Sequence, residues 1–166
     1  MHQAYLSLGS NILPEINLPK AIELLYGYGQ ILKISSAWET EAVGSDGPNY
    51  LNACVLLAIP FLSIELKEQV LRPIEIKLGR IRNKDKNAPR TMDIDIIIFD
   101  EQSRNNKFWK LAFVVVPLAE IYPKFQNPLN QESITKTATR LRLENWIKAR
   151  PEVLSRFNGS GFKPKT

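Results

Sequence analysis

Apolar and polar positions alternate from Gln3 to Leu8, with Ala4, Leu6 and Leu8 on one side and Tyr5 and Ser7 on the other. That pattern predicts a strand with one face in the core. Gly9-Ser10-Asn11 turns the chain, and from Glu15 to Tyr28 the residues Ile16, Ala21, Leu24, Leu25 and Tyr28 recur at helical spacing. Gly27 and Gly29 close that helix. Ile31 to Glu39 reads as a second strand. After the glycine- and proline-rich loop 44–49, Leu51 to Ile59 is apolar almost throughout, which suits a central strand covered on both faces. Cys54 inside it reads as a small buried hydrophobe. Ser63 is placed to cap a second helix reaching Leu78, with Gly79 as its stop and Pro73 as an interior break. Asp93 to Phe99 alternates again and reads as a strand.

The remainder is less regular. Leu111 to Ala119 fits either a helix interrupted by Pro117 or a short strand followed by a turn. Thr135 to Phe157 reads as a helix broken at Pro151. The β-α-β-β-α-β order of the first hundred residues predicts an α+β, ferredoxin-like core, an antiparallel sheet with helices packed on it. We expect one domain over residues 1–157 and a mobile tail over 158–166.

Composition narrows the chemistry. The chain has 166 residues, one cysteine and one histidine, His2. A disulfide within the chain and a cysteine-based zinc site are therefore excluded, and with His2 beside the chain start so are a Ser-His-Asp triad and a two-histidine metal site, unless a partner chain supplies a histidine. Catalysis must come from carboxylates, arginines, lysines, hydroxyls or a metal held by oxygen. The net charge of +5 favours anionic partners without choosing among them. The longest apolar run, seven residues from Ala53 to Ile59, is too short to span a bilayer. With no secretory leader visible, a cytoplasmic location is expected.

Residues two apart in a strand point the same way, so Asp93 and Asp95 project together, roughly 7 Å apart. Ile94, Ile96 and Ile98 face the opposite side. Adjacent carboxylates repel unless a cation lies between them, and oxygen-only ligation suits Mg²⁺. Arg80, Arg82, Lys84, Lys86 and Arg90 crowd the chain just ahead. Cationic groups beside a metal are how proteins neutralise polyphosphate. A solvated basic loop salt-bridged to two aspartates fits the same spacing.

The run Lys86 to Ile97 reads basic-x-small-Pro-Arg-x-x-Asp-aliphatic-Asp-aliphatic-aliphatic. It is preceded, in order, by AYLSLGSN, SSAWETEAVG, NYLNACV and LGRIR, and followed by PLAEIYP. On these segments the chain resembles the 6-hydroxymethyl-7,8-dihydropterin pyrophosphokinase family over roughly residues 4–125. The resemblance implies transfer of pyrophosphate from ATP to the hydroxymethyl group of a reduced pterin, releasing AMP, in folate biosynthesis. It implies two Mg²⁺ ions on Asp93 and Asp95, with Arg82 and Arg90 on the phosphates and Arg80 in support. Glu75 and Ile96 would lie by the nucleotide. Tyr50, Asn52 and Phe113 would form the pterin pocket, its polar edge completed by the segment containing Thr40, Glu41 and Val43. The expected partners are these small molecules alone, bound to a monomer, with no nucleic acid and no membrane.

The family's Val-Pro-His after the Asp-x-Asp strand has no counterpart in Asp100 to Ala112. Arg104, Lys107 and Lys110 are candidates to replace its phosphate contact. That departure leaves room for a weakened or non-catalytic relative that binds pterin or nucleotide. A nucleic-acid-binding module is a remoter alternative, resting on the basic balance and the four-stranded sheet.

Overall fold

The computed structural model describes residues 1–158. The proposed tail beyond Asn158 lies outside the described residues. The middle strand, β1 (His2–Ser10), pairs antiparallel with β4 (Tyr50–Ile59) on one side and β5 (Asp93–Phe99) on the other. β4 also takes β2 (Gln30–Ile34) and β3 (Ala37–Thr40). Short strands extend both edges: β6 (Gln102–Ser103) beside β5 and β7 (Ile147–Arg150) beside β3.

Each face of the sheet has its own core. Leu6, Leu8, Val55 and Leu57 pack under α1 (Pro14–Leu25) and the helical run from α2 (Ser63–Leu66) to α3 (Arg72–Lys77). Tyr5, Cys54 and Leu56, from the alternate positions, pack under α4 (Ala112–Ile121) and α5 (Ile134–Glu144). Full burial of such a side chain contributes roughly 1.5–3 kcal/mol, so the doubly covered β4 anchors both layers. The α+β, ferredoxin-like order is therefore as expected. Cys54 is completely buried, its thiol 3.7 Å from the Val114 carbonyl in α4.

Several local expectations change. The strand expected over 31–39 breaks at Ser35-Ser36, because the Ser36 N–H leaves the sheet for Glu120 of α4 at 3.1 Å. Ile16 and Tyr28 lie on the exposed side, and α1 buries Leu18, Ala21, Ile22 and Leu25. Ser63 is not a cap: it opens α2, and the Glu65 carboxylate accepts from the Leu62 N–H at 2.8 Å. Pro73 does not split the second helix. A π turn over Lys67–Leu71, closed by Arg72 N–H to the Lys67 carbonyl, absorbs the mismatch next to it. Lys107 to Tyr122 resolves as a 3₁₀ turn (Lys107–Lys110) and then α4. The helix expected over 135–157 ends at Glu144, and the chain then forms β7 and a 3₁₀ segment, Pro151–Phe157.

One further correction bears on the site. β5 carries a bulge opposite the Tyr5–Leu6 step, where Leu6 faces Ile96 and Tyr5 faces Ile98, leaving Ile97 as the extra residue. Ile94 and Ile96 thus face the α1 side as expected, whereas Ile98 turns to the α4 side. Ahead of the bulge, Asp93 and Asp95 keep the face that α4 leaves open.

Candidate active site

The sheet register builds the site. Gly9 of β1 pairs with Asn52 on one flank and Asp93 on the other, and Ser7 pairs with Asp95. The row Asn52–Gly9–Asp93 crosses three strands, and its middle member has no side chain. A Cβ on Gly9 would lie 3.0 Å from Asn52 Oδ1 and 3.7 Å from the Tyr50 ring, so a larger residue there would fill the hollow. The cleft above this row is also lined by Ser7, Thr40, Tyr50, Asp95 and Phe113. Glu41, Val43 and Ser45 close one rim, and Lys86, Asn87 and Arg90 close the other.

At one end the walls are strands. Asn52 is buried and donates from Nδ2 to Thr40 Oγ1 at 2.9 Å and to the Trp38 carbonyl at 3.3 Å. With its nitrogen committed, its Oδ1 is held on the Gly9 side of the cleft. Tyr50 is half-buried, and burial raises its hydroxyl pKa above the ordinary value. Phe113, in the first turn of α4, closes the same end.

At the other end the walls are charged. Asp93 accepts from Arg80 at 2.7 Å and from Arg90 at 2.6 Å, one guanidinium on each oxygen. Arg80 also donates to Glu75 at 2.8 Å, and Arg82 reaches the same carboxylate at 3.5 Å. A second hollow, lined by Arg80, Arg82, Lys86, Pro89 and Arg90, shares Lys86 and Arg90 with the cleft. The two spaces therefore adjoin at Lys86 and Arg90.

Asp95 has no ion pair among the described residues. Its carboxyl is pushed up to about 6 by the surrounding cleft walls and then by the Asp93 and Glu75 carboxylates. The side chain nonetheless opens to water, with the Arg80 and Arg90 guanidinium groups held on the neighbouring Asp93 and not on Asp95 itself. That environment fits a hard cation such as Mg²⁺ held by Asp95 with Asp93.

The structure brings Thr40, Glu41, Val43, Tyr50, Asn52, Arg90, Asp93, Asp95 and Phe113 to one cleft, and Arg80 and Arg82 to the adjoining hollow. Glu75 differs: it is 4% exposed and lines neither space. It anchors Arg80 and accepts the Ile94 N–H at 3.0 Å, and burial raises its pKa. Ile96 also lines neither space, because its side chain joins the opposite apolar face. Arg104, Lys107 and Lys110 reach neither.

Sequence reasoning missed Asn11. This buried amide exchanges two hydrogen bonds with the Arg90 backbone, at 2.7 and 3.0 Å, and donates to the Pro48 carbonyl at 3.3 Å. It ties loops 44–49 and 80–90 to the end of β1. Its signals in the sequence were its place directly after the first strand and at the end of the segment AYLSLGSN.

A family profile described as 7,8-dihydro-6-hydroxymethylpterin-pyrophosphokinase matches residues 5–123. The chain is 39% identical over 144 residues to the 2-amino-4-hydroxy-6-hydroxymethyldihydropteridine pyrophosphokinase of Synechocystis, covering 80% of this chain and 73% of that protein. It is 32% identical over 144 residues to the Aquifex aeolicus protein of the same name, covering 81% and 89%. A Plasmodium falciparum HPPK-DHPS crystal structure shares the fold with a TM-score of 0.65 at 12% identity, covering 85% of this chain and 44% of that one. Motif, cleft and relatives agree, and the chain belongs to the 7,8-dihydro-6-hydroxymethylpterin-pyrophosphokinase family.

Proposed function

We propose that this pyrophosphokinase of folate biosynthesis binds its reduced pterin between Tyr50 and Phe113 and extends ATP from the cleft along the arginine-lined hollow. The observation that carries the reading is that the cleft lined by Asp93 and Asp95 shares Lys86 and Arg90 with the arginine-lined hollow. Asn52 Oδ1 and the segment Thr40–Val43 supply the polar edge that a pterin needs. Arg82 and Arg90 neutralise phosphate oxygens, while Arg80, fixed between Glu75 and Asp93, keeps that wall in place. When bound, two Mg²⁺ ions on Asp93 and Asp95 would offset the charge of the triphosphate. The pterin hydroxymethyl oxygen attacks the β-phosphorus of ATP and gives up its proton to water, while the bond from that phosphorus to the oxygen it shares with the α-phosphate breaks and AMP leaves with that oxygen. Positioning and charge carry such a transfer, with no covalent intermediate and no histidine base. The same reading expects a cytoplasmic monomer acting on small molecules.

The test mixes protein, Mg²⁺, ATP and 6-hydroxymethyl-7,8-dihydropterin and follows AMP. Wild-type protein should exceed the Asp95→Ala variant by on the order of 10²–10³-fold. Equal AMP from the two would overturn the assignment of Asp95. Ligand stabilisation with no AMP from wild type would favour a binding-only relative, the reading prompted by the segment after β5. There the chain closes β5 to β6 with a two-residue turn, Asp100-Glu101, both at positive φ.

A further inference from the structure

Beyond the stretch matched by the family profile, β7 reaches back to the cleft through an ion group. Arg150 ends β7 and donates from Nη1 to Glu39 Oε1 at 2.5 Å and from Nε to Glu152 Oε1 at 2.6 Å. Its Nη2 lies 3.6 Å from Glu15 of α1. Glu39 passes the contact on, because its Oε2 accepts from Asn49 Nδ2 at 3.0 Å. Both partners of the central pair are mostly shielded, Arg150 at 23% and Glu39 at 22% side-chain exposure.

The positions of these residues give the group its meaning. Glu39 precedes Thr40, whose hydroxyl accepts from Asn52. Asn49 ends loop 44–49 and directly precedes Tyr50. The loop contains Gly44 and Gly47 and is largely exposed. Asn11 holds its Pro48 carbonyl, and Glu39 holds its last side chain. The Asn49 hydrogen bond, followed by Arg150, keeps the Glu39 carboxyl below its ordinary pKa, so an ionised acceptor is maintained there.

We propose that Arg150, acting through Glu39 and Asn49, is a positioning residue for the pterin. The relay fixes the end of loop 44–49 and with it the Tyr50 ring. This rests on the pterin lying against Tyr50 and Asn52. The arginine sets the Glu39 rotamer from one side, and Glu39 then presents its second oxygen to the loop. An ordered loop spares the ligand the cost of ordering it, so loss of the relay weakens pterin capture without touching the phosphate wall.

The experiment compares steady-state kinetics of wild type, Asn49→Ala, Arg150→Met and Arg150→Lys, with melting temperatures for each. Asn49→Ala leaves the Arg150–Glu39 pair intact, so it separates loop anchoring from attachment of β7. Asn49→Ala and Arg150→Met should each raise the pterin KM about three- to tenfold while the ATP KM stays at its wild-type value. Arg150→Lys should recover part of the loss. The double variant should be no worse than the poorer single variant, because both cut one path. An unchanged pterin KM in Asn49→Ala overturns the proposal, even if Arg150→Met is impaired and melts earlier. Equal rises in both KM values overturn it too. A wild type that releases no AMP counts instead against the underlying reading of the cleft.

Discussion

The strand-walled end of the cleft holds Asn52 at 3% exposure with its amide nitrogen committed to Thr40 and Trp38, whereas the charged end holds Arg82 with 62% of its side chain exposed, 3.5 Å from Glu75. The first end is shaped by backbone register, in which Asn52, Gly9 and Asp93 are fixed opposite one another. The second is shaped by charge balance, in which Arg80, Arg82 and Arg90 share Glu75 and Asp93. A neutral, flat heterocycle is discriminated by hydrogen bonds to immobile groups. On the proposed reading a flexible polyphosphate meets Arg82, the most exposed of these cations, and Arg90, held by Asp93 and the Lys86 carbonyl. On that reading, each ligand meets the kind of wall its chemistry requires.

Substitutions that damage one end alone should break this contrast if it is wrong. The largest effect is expected from Asn52→Ala, which removes Oδ1 from the cleft and leaves Thr40 and the Trp38 carbonyl without their donor. Loss of about 1–3 kcal/mol should raise the pterin KM roughly ten- to hundredfold, with the ATP KM unchanged in the same titrations. Glu75→Gln should do the reverse on a smaller scale. It keeps an acceptor for the Ile94 N–H but removes the charge that orients Arg80, so the ATP KM should rise about three- to tenfold and the pterin KM should hold. Equal effects on both substrates from either variant would show that the two ends are one mechanical unit.

The smallest effect sharpens the electrostatic half of the comparison. The Asp95 carboxyl is raised from 3.8 to about 6, so between these values the folded metal-free protein holds a proton that the unfolded chain has released. The folded state then binds more protons than the unfolded state between these values, and stability contributed at low pH is lost as pH rises through about 6. In metal-free protein, wild type should therefore lose melting temperature relative to Asp95→Asn across that interval. The difference should be about 1–2 °C, because the exposed side chain is partly screened. A flat difference between the two melting curves would show that Asp95 is relieved by the neighbouring arginines.

Much of the site was legible because strands alternate strictly. Asp93 and Asp95 share a face for that reason, and the motif around them, with Tyr50, Asn52 and Phe113, lines the same cleft. The alternation rule failed at Ile98, since a bulge depends on the partner strand and leaves no local mark. The family resemblance puts Glu75 beside the nucleotide, and its burial, which the sequence does not display, keeps it out of both spaces. Its hydrogen bond to the Ile94 N–H arises from packing between α3 and β5. Strand β7 was hidden for a similar reason. Four residues, Ile147 to Arg150, carry too little pattern, and pairing with β3 decides their conformation. The π turn before Pro73 likewise shows how tertiary packing can keep a helix running where local propensity would end it.

The single cysteine offers a way to time the molecule's opening. Cys54 is fully enclosed beneath α4, and burial, with Glu120 nearby, drives its thiol pKa far up. An alkylating reagent reaches it when the packing between α4 and the sheet opens, locally or with wider unfolding, so the labelling rate reports that opening. Because α4 also carries Phe113, the same clock registers how firmly an occupied cleft holds its roof closed.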